Sequence, residues 1–187
     1  MNTSALIDKM DSLAKQGVWL FTQMMIAELF PGENIRSIRA SITRHTKSGI
    51  IVPIAKGIYA NERASSISAH KLEAVVAYLR PGQINYVSQE TRLSELGIIS
   101  QIPVSRLTVM TTGRSGLIET PYGTIELTST KRKLEAILSG VTYDEERKIL
   151  LADAARAYGD LKRARRNLDL VDQVELHDII TGGTDES

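Results

Sequence analysis

Two short β-rich segments, joined by a glycine-containing turn, follow three helical segments near the start of this sequence. The strand candidates are residues 50–54 and 58–60, because β-branched and aromatic residues dominate both. Ala55-Lys56-Gly57 joins them, and glycine supplies the backbone conformation that a tight hairpin turn needs. This switch from helical spacing to a hairpin is the feature that most constrains the fold.

Two helical segments come first in the chain. Apolar residues recur at helical spacing over residues 5–14, after the capping cluster Asn2-Thr3-Ser4 and before Gly17. A second, short helix is predicted between Thr22 and Pro31-Gly32, since threonine caps helix starts and proline followed by glycine ends them. A short apolar run at residues 18–21 separates the two helices.

The third helix is predicted from residue 34 to about 48. Ile35, Ile38 and Ile42 share one side of it and are expected to face the core. The hairpin follows directly. Helix, helix, tight turn, helix and hairpin is the order of a winged helix-turn-helix, which is the fold predicted for residues 1–63.

The opposite side of the third helix is basic. Between Asn34 and Asn61 the sequence has five Lys or Arg and no Asp or Glu, although the net charge of the chain is only +1. Such a surface is typical of a helix in the DNA major groove, where arginine binds guanine edges and lysine binds phosphate. The predicted DNA-binding residues are Arg36, Ser37, Arg39, Ala40, Ser41, Arg44, Lys47 and, at the hairpin tip, Lys56.

Two side chains of this helix lie beside the core stripe. Arg39 can lay its aliphatic stem along apolar neighbours, so Arg44 is the stronger candidate for reading a base edge. For His45 a packed, neutral side chain is expected rather than a functional one. The alternative interpretation of the whole surface is a charged face that only solvates the helix.

Residues 64–187 are predicted to form a mixed α+β domain, which makes the chain α+β as a whole. The polar segment 61–66 marks the boundary. Helical patterning covers residues 69–79, 144–167 and 170–180, and a short helix is closed by Gly97. The predicted strands are residues 105–111, 117–120 and 123–128.

Three polar clusters in the second domain have competing interpretations. The segment 111–116 can form an anion-binding loop, but a hairpin turn is the expected structure. Asp144-Glu145-Glu146 is expected to be the acidic first turn of a helix rather than a metal site. Lys162, Arg163, Arg165 and Arg166 either contact the flanks of a DNA site or form a solvated helix end.

Composition excludes several classes of function. The 187 residues include no cysteine, which excludes disulfide scaffolds, thiolate nucleophiles and cysteine-held metal sites. The histidines lack metal-ligand spacing, and no phosphate-binding loop or nucleophile elbow occurs. No catalytic, metal or cofactor residue is therefore assigned, and the chain is expected not to be an enzyme. With no signal peptide and no membrane span in the sequence, a cytoplasmic location is expected.

Several segments resemble the AbiEi-type antitoxins. In the first domain these are Val18-Trp19-Leu20-Phe21-Thr22 and the hairpin that contains Gly57-Ile58-Tyr59. In the second domain they are Tyr86-Val87-Ser88 with Leu96-Gly97, Leu107-Thr108-Val109 with Thr111-Thr112-Gly113-Arg114, and Ile118-Glu119-Thr120-Pro121-Tyr122-Gly123. The resemblance covers residues 18 to 130, and the family's usual pattern is not recognised beyond them.

The resemblance implies a function. Members of this family are bacterial antitoxins of type IV toxin-antitoxin modules: the winged helix represses the shared promoter, and the second domain counters a nucleotidyltransferase-like toxin. The implied partners are double-stranded operator DNA, with inverted repeats if the protein binds as a homodimer, and that toxin. Two alternatives remain, a stand-alone regulator whose second domain dimerises or senses a ligand, and a nuclease that the winged helix targets to DNA.

Overall fold

The computed structural model describes residues 1–100 and 105–182. The chain mixes helices and strands, as predicted, and divides into two compact units between Lys71 and Leu72. We call Met1–Lys71 unit 1 and the described residues from Leu72 onward unit 2. The division follows the polar segment 61–66 rather than falling inside it. No helix in the described ranges is long and apolar enough to cross a membrane.

Unit 1 contains three helices and a small antiparallel sheet. In chain order its elements are α1 (Thr3–Ala14), β1 (Leu20–Thr22), α2 (Gln23–Leu29), α3 (Ile35–Lys47), β2 (Val52–Ala55) and β3 (Ile58–Ala60). The strand order is β1-β3-β2, so β3 lies in the middle. The hairpin between β2 and β3 turns at Lys56-Gly57, where Gly57 has a φ of +77°.

Side-chain caps begin all three helices of unit 1, and those at Asn2 and Thr22 lie at predicted capping positions. The side chains of Asn2, Thr22 and Asn34 each accept a hydrogen bond from a backbone amide three residues further on, at 2.8, 3.1 and 2.9 Å. These bonds satisfy amides that would otherwise lack an intrahelical partner. The helices then bury one face each around a shared core. That core consists of Leu6, Met10, Phe21, Ile26, Ile38, Ile42 and Ile51.

Unit 2 is built on one mixed sheet. Its helices are α4 (Lys71–Leu79, which begins at the unit boundary), α5 (Gln89–Glu95), α6 (Leu134–Leu138), α7 (Ala154–Ala164) and α8 (Gln173–Thr181). Its strands are β4 (Asn85–Val87), β5 (Arg106–Thr111), β6 (Gly116–Thr120), β7 (Gly123–Ser129), β8 (Val141–Asp144) and β9 (Ile149–Ala152). The strand order is β6-β7-β5-β4-β9-β8, which leaves β6 and β8 at the edges.

The prediction of one helix over residues 144–167 is wrong in its first part. Residues 141–152 form the hairpin β8–β9, and helix α7 begins only after Asp153, whose side chain caps it. The carboxylate of Asp144 accepts hydrogen bonds from the amides of Glu146 and Arg147, which makes the acidic cluster a turn. A short apolar run such as residues 149–152 fits a buried strand as well as a helix, so periodicity alone does not decide between them.

The prediction of a hairpin turn at residues 111–116 is also wrong. A hairpin turn joins neighbouring strands, but β7 lies between β5 and β6 in the sheet. Strand β5 pairs with β7 in parallel, and β6 pairs with β7 in an antiparallel hairpin. The segment 111–116 is therefore a connection across the end of β7. The guanidinium of Arg80 holds it by donating to the carbonyl of Arg114 at 3.0 and 3.1 Å.

Candidate nucleic-acid interface

The buried side of α3 decides which of its residues face solvent. Ile38, Ser41, Ile42 and His45 are at most 5% exposed. They follow the i, i+3, i+4, i+7 spacing of a helix face that packs on a core. The side directly opposite is therefore available for a partner.

Most of the predicted DNA-binding residues lie on the available side. The exposed ones are Arg36, Ser37, Arg39, Ala40, Arg44 and Lys47 on α3, and Lys56 at the hairpin tip. Within residues 1–100 and 105–182, the side chains of Arg36, Arg39, Lys47 and Lys56 have no hydrogen-bond or ion-pair partner. These four cations are satisfied by solvent alone.

Two predictions about α3 are wrong because its buried side is rotated from the one expected. Ser41 is 5% exposed and lies in the core face, so it is not part of a DNA-binding surface. Ile35, expected in the core, is 49% exposed. The isoleucine spacing alone placed the core face between Ile35 and Ile42, whereas the burial of Ser41 and His45 moves its centre away from Ile35.

Thr43 belongs to the outward side and was not predicted. It lies between Arg36 and Lys47 in the series 36, 40, 43, 47, which runs along the centre of the exposed face at helical spacing. Its side chain is exposed, and its hydroxyl donates to the carbonyl of Arg39 at 3.0 Å. The sequence contains the signal that places Thr43 on this face, namely the i, i+4, i+7, i+11 spacing of residues 36, 40, 43 and 47. We call Arg36, Arg39, Ala40, Thr43 and Lys47 the α3 surface.

Arg44 flanks the α3 surface and has intramolecular contacts. One of its guanidinium nitrogens, Nη2, donates to the carbonyl of Met1 at 2.8 Å and lies 3.4 Å from the hydroxyl of Ser41. The contact with Met1 ties the start of the chain to α3. Arg44 remains exposed, but part of its donor capacity is already used, in contrast to Arg36.

His45 is packed, as predicted. Its side chain is 1% exposed and its Nε2 atom has no hydrogen-bond partner among the described residues. Burial and, next, the neighbouring charge of Arg44 lower the pKa of His45 below its ordinary value, against a smaller opposing contribution from the Met1 carbonyl. The imidazole therefore serves the core as a neutral group.

The hairpin places Lys56 beside the helical part of unit 1. The carbonyl of Gly57 accepts a hydrogen bond from the amide of Gln23, the first residue of α2, at 3.2 Å. Strand β3 also pairs with β1 along its length, from Leu20 opposite Ala60 to Thr22 opposite Ile58. The hairpin is thus fixed to the sheet and to α2, so Lys56 is presented by a supported turn.

The second basic cluster, residues 162–166, differs from the α3 surface because its Arg166 forms ion pairs within unit 2. Its guanidinium contacts Glu90 at 2.8 Å and also pairs with Glu126. Although burial lowers the pKa of Arg166, the hydrogen bonds and charges of Glu126 and Glu90 raise it above its ordinary value. Lys162, Arg163 and Arg165 are exposed.

Unit 2 also contains a buried polar network around Asp160, which is 1% exposed. Its carboxylate accepts hydrogen bonds from Tyr86 at 3.1 Å and Ser88 at 2.8 Å, and it pairs with Arg132. Burial, and next the charge of Asp160, raise the pKa of Tyr86 to about 12. With Ser88 and Tyr86 both fully buried, this network holds α7 to the sheet.

No family model, curated protein or solved structure matches the chain. Within residues 1–100 and 105–182, no group of three or more His, Cys, Asp or Glu side chains is placed to hold a metal ion.

Proposed function

We propose that unit 1 is a winged helix-turn-helix domain that binds double-stranded DNA in a sequence-specific way, with α3 in the major groove and the β2–β3 hairpin as the wing. The element order and the small antiparallel sheet support this proposal. The same proposal assigns the chain to the cytoplasm, where its DNA would be.

The observation that carries the proposal is the set of unpartnered cations on the exposed face of α3 and at the hairpin tip. A helix face that only needs solvation usually mixes both signs, because oppositely charged neighbours stabilise the helix. Here Arg36 and Arg39, and Arg44 and Lys47, are like-charged pairs three residues apart, and the stretch contains no acid. Each such pair costs roughly 0.2–0.5 kcal/mol of helix stability. Binding a polyanion would offset this cost.

Arg36 is the most informative residue of the set. It lies in the first turn of α3, at the positive end of the helix dipole, where a cation is disfavoured. Arg44 and Lys47 lie in the last turn, where the dipole favours them. A structural reason for Arg36 is therefore lacking, and base recognition supplies a functional one. In this arrangement Arg36 contacts a guanine edge, Ala40 and Thr43 pack against base methyl groups, and Lys47 and Lys56 contact phosphates.

The biological role is proposed from the resemblance of residues 18–130 to AbiEi-type antitoxins. We propose a repressor of its own operon that also counters a nucleotidyltransferase-like toxin through unit 2. The stand-alone regulator and the DNA-targeted nuclease remain the alternatives, and nothing in the described structure favours either.

DNA binding is tested by titrating the full chain into labelled DNA from upstream of its own gene and into a scrambled duplex of equal length. The expected result is tighter binding to the upstream DNA, with an affinity that falls as salt rises. Equal affinity for both duplexes at every salt concentration would contradict sequence-specific recognition.

The antitoxin role is tested separately by co-expressing the full chain with the product of the adjacent gene. If that gene encodes a nucleotidyltransferase-like toxin, we expect growth to be restored by the chain and by a variant with Arg36→Ala and Lys47→Ala, since the proposed neutralising part is unit 2. A chain that binds its operator but never restores growth would be a stand-alone regulator.

A further inference from the structure

One edge of the unit 2 sheet has features that suit pairing with another strand. Strand β8 (Val141–Asp144) ends the sheet and has only β9 as a neighbour among the described strands. Its two central residues, Thr142 and Tyr143, are uncharged and exposed, with Tyr143 48% exposed. Edge strands are usually protected by charge, proline or a covering segment. The other edge, β6, carries Glu119 near its middle.

The ladder between β8 and β9 shows which backbone groups face outward. The amide of Asp153 donates to the carbonyl of Gly140 at 3.0 Å, and the register places Thr142 opposite Leu151. Hydrogen-bonded pairs alternate along an antiparallel ladder, so Gly140 and Thr142 bond to β9. The amide and carbonyl groups of Val141 and Tyr143 therefore point away from β9, toward the open edge.

A basic cleft lies at the start of this strand. It has a volume of about 260 Å³ and is lined by Arg132, Ser139, Gly140, Asp153, Ala155 and Arg156. The guanidinium of Arg156 packs directly on Gly140. A Cβ atom added at Gly140 would lie 2.6 Å from Nε of Arg156. That Nε atom is buried and has no partner among the described residues, although another nitrogen of the same group donates to Ala136. Of the other charged residues that line the cleft, Arg132 pairs with Asp160. The carboxylate of Asp153 accepts a hydrogen bond from the backbone amide of Arg156.

The other end of β8 is acidic. Asp144 ends the strand, and Glu145 in the following turn is 83% exposed. Its only described partner is Lys148, itself 68% exposed, at 3.1 Å. A strand with a basic cleft at one end and acids at the other is complementary to an antiparallel copy of itself.

We propose that two copies of this chain pair through β8 in an antiparallel, two-fold arrangement centred on Thr142. In this register Val141 of each copy hydrogen-bonds with Tyr143 of the other, which uses all the outward-facing groups identified above. The exposed ring of Tyr143 packs against Val141 across the strands, a favourable aromatic and β-branched pair. Gly140 then lies opposite Asp144 and Ser139 opposite Glu145, so each acidic end meets the Arg156 cleft of the other copy. The proposal does not depend on DNA binding.

The register is tested by cysteine cross-linking, since the chain has no cysteine of its own. In Thr142→Cys the two sulfur-bearing residues face each other on the axis, with Cα atoms about 4.5 Å apart, within disulfide range. In Tyr143→Cys they are offset by two residues and lie roughly 8 Å apart, beyond that range. Leu117→Cys, on the exposed part of β6, is the matched control. We expect Thr142→Cys to form dimers on a non-reducing gel at least ten times faster than the other two.

Analytical sedimentation of the unaltered chain tests the association of two copies without any cysteine variant. The expected result is a concentration-dependent shift from the mass of one chain to that of two. Glu145→Lys, which places a cation beside Arg156, should weaken the association about ten-fold, whereas Glu119→Lys on β6 should not change it. A chain that stays single at all concentrations, or a Thr142→Cys variant that cross-links no faster than Leu117→Cys, would overturn the proposal. The edge would then be open to a strand from another protein.

Discussion

The cations of unit 1 and the arginines of unit 2 are held in opposite ways. In unit 2, Arg147 contacts Glu73 at 2.7 Å and Glu95 at 2.9 Å, and Arg132 pairs with the buried Asp160. On the α3 surface, Arg36 and Lys47 are exposed and contact no acid among the described residues. The same residue types thus serve internal structure in one unit and remain available to a partner in the other.

Paired and unpaired cations should therefore affect different properties, the paired ones the stability of the fold and the unpaired ones the binding of a partner. A buried pair that loses one partner leaves an uncompensated charge, which is strongly destabilising. An exposed cation without a partner contributes little to folding, so its removal changes mainly what it binds. Substitutions of these paired residues in unit 2 should therefore change unfolding, and substitutions on the α3 surface should change mainly DNA affinity.

The largest expected effect is the loss of Asp160. Asp160→Ala leaves Arg132 without its carboxylate, and the hydroxyls of Tyr86 and Ser88 lose their acceptor. We expect the free energy of unfolding to fall by about 3–5 kcal/mol, measured by urea unfolding with circular dichroism. Arg163→Ala, at an exposed position on the same helix, is the matched control and should change it by less than about 0.5 kcal/mol.

Asp160→Asn keeps the experiment informative if the alanine variant does not fold. The amide retains one hydrogen-bond acceptor but no charge, so an intermediate loss of stability is expected. Equal stability of the asparagine variant and the unaltered chain would mean that the charge of Asp160 does not stabilise unit 2.

The second effect concerns base recognition by the α3 surface. Arg36→Ala should weaken operator binding by about 1–3 kcal/mol, as expected for an arginine that reads a base edge. The melting temperature should not fall and should rise slightly, because the substitution removes the like-charge pair with Arg39. Arg44→Ala provides the contrast: it removes the contact with the Met1 carbonyl, so its melting temperature should fall as well. Binding is measured by fluorescence anisotropy, and unchanged operator affinity in Arg36→Ala would remove Arg36 from the site.

A smaller effect is expected at the hairpin tip. Lys56→Ala should weaken binding to operator and scrambled DNA alike, because a phosphate contact carries no sequence information. The slope of log affinity against log salt should flatten by roughly 0.9, the contribution of one phosphate. Lys15→Ala, an exposed cation at the end of α1, should leave the slope unchanged. A loss confined to the operator would show that Lys56 reads sequence instead.

Local signals predicted unit 1 better than unit 2. The caps at Asn2 and Thr22 and the glycine turn are all encoded within a few residues, and each forms as expected. The strand order of unit 2 is not local, because β7 inserts between β5 and β6. The pair Arg147 and Glu73 joins residues 74 apart in sequence. Neither hydrophobic spacing nor turn residues report such contacts, and spacing alone therefore predicts a helix at residues 149–152.

The same limit applied to the candidate site. The basic character of α3 follows from composition, and a packed His45 is expected, but the rotation of the helix also depends on Ser41, which packs inward although it is not apolar. Spacing of isoleucines could not reveal this, since a core face is defined by what it packs against. Sequence therefore identified the helix and most of the surface, and the structure excluded Ser41 and added Thr43.

The smallest expected effect is a pH dependence of unit 1 caused by His45. Its folded pKa is lowered from 6.5, so as pH falls the unfolded chain takes up a proton before the folded chain does. The contribution of His45 to stability is fully present above about pH 6.5 and decreases as pH falls through that value toward the folded pKa.

The single tryptophan, Trp19, is buried in unit 1, and its fluorescence reports this unfolding. His45→Gln should remove the slope between pH 7 and the folded pKa, whereas His177→Gln, exposed on α8, should keep it. An unchanged slope in His45→Gln would mean that another group causes the dependence.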